Sequence, residues 1–130
     1  MQRMILAAAG VMGAMGVAAA AWVQHGLAGG ATVDQLGFAQ TAVRFALVHA
    51  VALLGISAVL RNTTGAGARY CLGAAAACFF AGFALFCGGL WLLAAGEAPA
   101  WARAVPVGGT LFILGWLAIL AAALAPRPAR

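Results

Sequence analysis

Three side chains in this sequence could do chemistry in an apolar phase: His25, Arg44 and His49. An imidazole can donate, accept or bind a metal, and a guanidinium can hold an anion through a fixed fork of donors. Polar groups within lipid are costly, so each is a functional candidate by default. His49 falls inside the second apolar stretch and His25 just past the end of the first, on the same side. Arg44 lies at the mouth of the second stretch, with Gln24, Asp34, Gln40, Thr41 and Glu97 near that end. Counted from Val43, His49 is about six residues, or ~9 Å, inside the boundary, so an outer-leaflet polar pocket is expected. A histidine on each of two helices could clamp a haem iron, but both would need similar depth, and His25 is the shallower. The expected role of His49 is that of a neutral ring bonded to a neighbouring helix backbone. Arg44 is expected to snorkel to the headgroups or to pair with Asp34 or Glu97.

Other chemistry is missing. The sequence has no Ser/His/Asp constellation, no carboxylate pair and no metal-ligand spacing, so no catalytic residue, cofactor or metal ligand is assigned and no enzyme is expected. Cys71, Cys78 and Cys87 all lie in the third apolar stretch, two helical turns or more apart, too far to bridge, and read as small packing residues. The pairs Gly88-Gly89 and Gly108-Gly109 follow no strand and precede no Lys-Ser/Thr, so they read as close helix packing or helix-end irregularity, not phosphate loops. Small multidrug exporters of similar length couple protons through a carboxylate in the first helix, and no such carboxylate exists here.

The elements that must position these residues are four apolar stretches, roughly 4–23, 43–60, 70–95 and 105–124. A helix rises ~1.5 Å per residue and needs about 20 residues to cross a bilayer core, so each is long enough to span. Of 130 residues, 66% are hydrophobic and 7% charged, and the mean hydropathy is +1.07. No polar stretch is long enough for a second domain, so residues 1–130 are expected to form one all-α, four-helix transmembrane bundle, with helices near 4–23, 33–60, 70–95 and 105–124. The net charge of +5 does not indicate nucleic acid, because the arginines stand singly or in pairs at stretch ends and form no basic face. The first stretch imitates a signal peptide, but it runs on through Trp22 and Val23, so an uncleaved helix is expected.

Arginine placement predicts the orientation. Arg3, Arg61, Arg69, Arg127 and Arg130 fall on one side, Arg44 and Arg103 on the other with Asp34 and Glu97. The positive-inside bias then puts both termini in the cytoplasm and gathers Trp22, Trp91 and Trp101 at the outer interface. Thr32-Val33-Asp34-Gln35 fits a capping box that starts helix 2 near Val33, with an interfacial run before entry near Val43. Gly96 and Pro99 suit the end of the third helix, and Pro106 suits the first turn of the fourth.

Lipid offers no hydrophobic drive between helices, so small residues must allow close approach. Gly10, Gly13 and Gly16 offer this in the first helix, Gly73, Ala77 and Ala81 in the third, and Gly108 and Gly115 on one face of the fourth. Phe79, Phe80, Phe83 and Phe86 thicken the third.

Several segments carry a family resemblance. His25-Gly26-Leu27 resembles a Gly-Ala-His turn after a first span. Arg44-Phe45, Val48-His49-Ala50 and Leu53-Leu54-Gly55 resemble a second helix, and Leu85 through Trp91 a third-helix motif. Pro106-Val107-Gly108-Gly109 with Phe112, Gly115 and Trp116 is the most specific part. Over nearly the whole chain the sequence resembles the YgdD-like family of small four-helix inner-membrane proteins, which also has an animal transmembrane relative. Departures are Gln24 in place of Ala, Gly89 in place of Ser and Trp91 in place of Tyr. The resemblance implies four spans and draws attention to His25, His49 and the turn at Pro106–Gly109, but it implies no activity.

The expected function is a non-enzymatic accessory or structural membrane component. Its partners would be the lipid bilayer and either a second copy or a larger membrane complex. The alternative is a small oligomeric transporter or channel entered through His25, Arg44 and His49. For that alternative, a polar path would have to continue from His49 to the cytoplasmic side.

Overall fold

A computed structural model describes residues 1–27, 29–96 and 101–126, with Trp101 described in its backbone alone. Helix α1 spans Gln2–Trp22 and continues through a π-helical turn, Val23–Leu27. Helix α2 spans Val33–Asn62, and α3 spans Ala66–Gly82. A second π turn, Phe83–Cys87, leads from α3 directly into α4, Gly88–Ala94. After a short 3-10 turn at Trp101–Arg103, α5 spans Ala104–Leu124. The described residues contain no strand, and the helices form four membrane-crossing rods of 26, 30, 29 and 21 residues. The third rod is α3 and α4 joined through the π turn.

The ends of the rods follow local chemistry. The Thr32 hydroxyl accepts from the Gln35 amide at 3.3 Å, while the Gln35 side-chain oxygen accepts from the Thr32 amide at 2.9 Å. This reciprocal cap starts α2 where the sequence expected it. Gly96 closes the third rod with φ of +80°, a left-handed backbone that suits glycine. Pro106 sits in the first turn of α5, where no intrahelical donor is lost. At the other end of α2, the Arg69 guanidinium donates to the carbonyls of Leu60 and Thr63 at 3.4 and 3.1 Å. That cap lets α3 begin at Ala66, four residues before the apolar stretch does, and leaves 63–65 as a tight turn. Residues 33–42 are helical as expected, while residues 24–27, expected beyond the end of the first helix, continue it as a π turn. Arg127, Arg130, Glu97 and Pro99, which carried parts of the topology and helix-end reading, lie outside the described residues, as does the Trp101 side chain.

The rods do not close into a symmetric ring. Helix α2 lies at the centre and buries ten of its residues, from Ala39 to Leu60. Helix α1 packs along one side of α2 through Ile5, Ala9, Met12 and Gly16, spaced four, three and four residues apart. Helix α5 packs mainly on α3 and its π turn, through Gly108, Phe112 and Gly115. Clefts of about 160 and about 420 Å³ separate α1 from the third rod. Rings bridge that gap at the end opposite Arg3, Arg61 and Arg69, where Trp22 and Trp91 stand 5.6 Å apart. The remaining large apolar side chains, among them Met4, Val51, Ile113 and Leu124, face outward. Such a surface is stable only in hydrocarbon.

Candidate functional site around His49

The three polar candidates do not converge. His25, in the π turn ending α1, and Arg44, on α2, are both exposed, whereas His49 is only 3% exposed. Direction around α2 explains the separation. Leu47 leans onto α1, where its tip is the neighbour of Gly16. His49 comes two residues later, a rotation of about 200°, so its ring points away from α1 and toward α5 and the third rod. Arg44, five residues earlier, is turned about 140° from His49.

His49 sits near the midpoint of α2 and meets Phe79 and Phe112, which lie near the middle of their own rods. Ala39 and Ala42, in the run of α2 before Val43, are fully buried against the rest of the bundle.

Aromatic rings enclose the imidazole. Phe112 stacks on it with centroids 3.7 Å apart and planes 15° from parallel, and Phe79 meets it edge-on at 4.9 Å. Phe45 lies 5.9 Å away on the preceding turn, and Trp116 lies 6.2 Å away on α5. Phe86 completes the box, 4.6 Å from Phe45 and 5.6 Å from Phe112. Phe86 is fixed by the π turn, and its backbone lies so close to Gly108 that a Cβ there would overlap it. The box thus depends on the Pro106-x-Gly-Gly segment: Gly108 admits the Phe86 backbone, and a Cβ added at Gly109 would lie 3.6 Å from the Phe86 ring. Gly82 and Gly115 do the same one and two turns further along. An added methyl would meet Phe112 at Gly82 and overlap the Phe79 ring at Gly115.

His49 makes one hydrogen bond, from Nδ1 to the carbonyl of Phe45 at 2.8 Å. The partner is on its own helix, one turn back, and not on a neighbouring helix as expected. In an α-helix the carbonyl four residues back lies beneath the side chain, and its second lone pair is free to accept from Nδ1. Nε2 is left buried with no partner, the one such side-chain atom among the described residues. Beside it a cleft of about 480 Å³ opens between α2 and α5, lined by Phe45, Phe86, Pro106, Thr110, Phe112, Ile113 and Trp116 as well as His49.

No group of three or more His, Cys, Asp or Glu among the described residues could hold a metal ion. Cys71 and Cys78 are half-buried and Cys87 buried, all as free thiols. The ring partners were visible in sequence as pairs on common helix faces, Phe45/His49 and Phe112/Trp116 four apart and Phe79/Phe86 seven apart. What spacing could not show was that these faces oppose one another. Gly82 and the π turn gave no sequence signal.

A multi-spanning apolar bundle with one enclosed imidazole defines an integral membrane protein. A family model described as "Protein of unknown function (DUF423)" matches residues 6–109, from the first span through the Pro106–Gly109 segment. The UPF0382 membrane protein SAB0533 of Staphylococcus aureus is 32% identical over 108 residues, 83% of this chain and 84% of its own length. The UPF0382 inner membrane protein YgdD of Escherichia coli is 29% identical over 123 residues, 94% of this chain and 90% of its own. The UPF0382 membrane protein YwdK of Bacillus subtilis is 30% identical over 110 residues, 85% of this chain and 87% of its own. No solved structure matches the chain. The chain belongs to the DUF423 (UPF0382) family and is a multi-pass protein of the bacterial inner membrane.

Proposed function

We propose that this protein works without catalysis, as an accessory or structural component of the inner membrane that associates with a second copy or a larger membrane complex. The observation that carries this reading is the dispersal of its polar groups. Catalysis requires an acid, base or nucleophile held within hydrogen-bond reach of one reacting atom. Here His25 and Arg44 are exposed on other faces, and His49 is enclosed by rings. The same dispersal argues against transport. A pathway would need polar lining from His49 to the cytoplasmic end, and the imidazole is followed there by Leu53, Ile56 and Leu60 of the buried core, with the Ser57 hydroxyl spent on the Gln2 carbonyl at 3.4 Å. Both termini face the cytoplasm in this proposal, supported by Arg3, Arg61 and Arg69 at one end of the rods.

Reconstitution tests it. Proteoliposomes of the wild-type protein should pass ions and small polar solutes no faster than empty vesicles. Flux that disappears on His49→Ala would establish the transporter instead. In mild detergent the protein should migrate as an assembly larger than its 13.0 kDa chain. A monodisperse monomer with no partner would overturn the accessory role. A periplasmic reading from a reporter fused at the C-terminus would reverse the orientation.

A further inference from the structure

Packing alone does not account for the cleft beside His49. The Phe45 carbonyl can only accept, so the 2.8 Å bond fixes the imidazole proton on Nδ1. In the neutral ring Nε2 then keeps a bare lone pair, buried with no donor in reach. Thr110, the other polar side chain on the cleft, already donates its proton to the Pro106 carbonyl at 2.9 Å. The rest of the wall is apolar, mostly the rings of Phe45, Phe86, Phe112 and Trp116. The cleft lies on the outer flank of the bundle, where Phe45, Ile113 and Trp116 are 37%, 62% and 47% exposed toward lipid.

We propose that this cleft binds a lipid-soluble molecule with a ring hydroxyl, a phenol or hydroquinone headgroup that enters sideways from the bilayer and donates its O–H to Nε2 of His49. The alternatives fail on chemistry. An anion or metal ion would find apolar walls and no charge partner. A ligand bearing only carbonyl or ether oxygens would set lone pair against lone pair. A single water needs two to four polar partners, and beside Nε2 the cleft side chains add only the hydroxyl oxygen of Thr110, an acceptor one turn from Pro106. An aliphatic alcohol would satisfy Nε2 but leave the ring walls without a flat surface to stack on. A volume of about 480 Å³ suits a small ring headgroup, with its tail remaining in lipid. Nε2 is buried in the unliganded protein, so binding requires a ring of the cleft wall to shift. The site goes beyond the non-catalytic role proposed above and does not depend on it, because binding transforms nothing.

The test uses the full chain in lipid nanodiscs with ¹⁵N-labelled imidazoles. Para-octylphenol is titrated against para-octylanisole, its methyl ether, which has nearly the same shape and no donor. The Nε2 resonance of His49 should shift saturably with the phenol and stay fixed with the ether, while exposed His25 serves as internal reference. An alkyl hydroquinone should shift it too, and its oxidised quinone should not. Binding of radiolabelled phenol, corrected for empty nanodiscs, should weaken about tenfold in His49→Phe, the value of one lost hydrogen bond. If that variant fails to fold, Ile113→Trp, which fills the cleft from its rim, should abolish the shift with the Nδ1 bond intact. Equal responses to phenol and ether would overturn the proposal, leaving only partition into an apolar cleft. A straight-chain alcohol shifting Nε2 at the same concentration would overturn the ring requirement. A resonance already hydrogen-bonded before any addition would also overturn it, because a second copy or a water would then occupy the acceptor.

Discussion

At the seam between α5 and the third rod, a methyl added to Gly108 would run into the backbone of Phe86. At the seam between α1 and α2, one added to Gly13 would meet Ala50 at an ordinary 3.9 Å. Both seams repeat buried residues at four-and-three spacing: Ile5, Ala9, Met12 and Gly16 in α1, and Gly108, Phe112 and Gly115 in α5. That spacing keeps one stripe of a helix facing its neighbour. The seams nevertheless work differently. On the α5 side, glycines remove their own bulk so that whole rings and a π turn fit between the rods. On the α1 side, Gly13 faces Ala50 without close approach, Ile5 and Met12 fill the seam with flexible chains, and clefts remain between α1 and the third rod. Without a hydrophobic drive inside lipid, van der Waals fit is the main adhesive, and it is concentrated on the α5 side.

The comparison breaks most readily at Gly108. Its added Cβ meets backbone, which cannot rotate away, so Gly108→Ala should cost about 3 kcal/mol by the overpacking scale. Denaturant titration in bicelles measures this. The π turn should move with it, detectable as lost ring contact between Phe86 and Phe45. A cost below about 1 kcal/mol would mean that the seam has slack and that the two sides are alike. Gly115→Ala comes next. Here the obstacle is the Phe79 ring, with the Ala75 carbonyl behind it at 3.3 Å. A ring can tilt, but Phe79 is fully buried and meets His49 edge-on. The expected cost is about 2 kcal/mol, with a changed environment at the His49 imidazole.

How much of this was legible follows the same division. Spans, caps and the glycine stop at Gly96 were readable because each depends on residues within one turn of one another, as Thr32 and Gln35 do. The glycine face of Gly108 and Gly115 was readable too, because seven residues return a helix to almost the same side. His25, Arg44 and His49 read as a cluster because depth was counted along the chain. Whether polar groups meet depends on angle around α2, and that angle is set by Leu47 docking on α1 and Phe112 docking on His49. Both are long-range contacts. The π turn at Phe83–Cys87 is of the same kind, since it accommodates a backbone from another rod. Arg69 was counted only as a topology charge, yet it also caps the end of α2.

On the α1 side the expected effects are smaller. The buried glycine there is Gly16, and its added Cβ would approach Leu47 Cδ2 to 2.7 Å. That atom is the free tip of a flexible side chain, and Gly16 itself lines a cleft, so the contact can relax. Gly16→Ala should cost about 1 kcal/mol or less, against about 3 for Gly108→Ala. Equal costs at the two sites would show that α1 is held as tightly as α5 and that its clefts are closed in the bilayer.

The smallest effect belongs to Gly10, which has nothing within 4 Å of an added Cβ and faces outward. In water such a change would favour the helix by about 0.5–1 kcal/mol. In lipid the unfolded state keeps its helices, because unpaired backbone is too costly there, and the gain largely cancels. Gly10→Ala should therefore leave stability within about 0.5 kcal/mol of wild type. It should also leave the size of the assembly in mild detergent unchanged, because lipid tails give way to a methyl group. If the variant instead shifts the assembly toward smaller species, another chain must lie against Gly10 as closely as Phe86 lies against Gly108. The α1 face would then be a second tight seam, made between molecules and not within one.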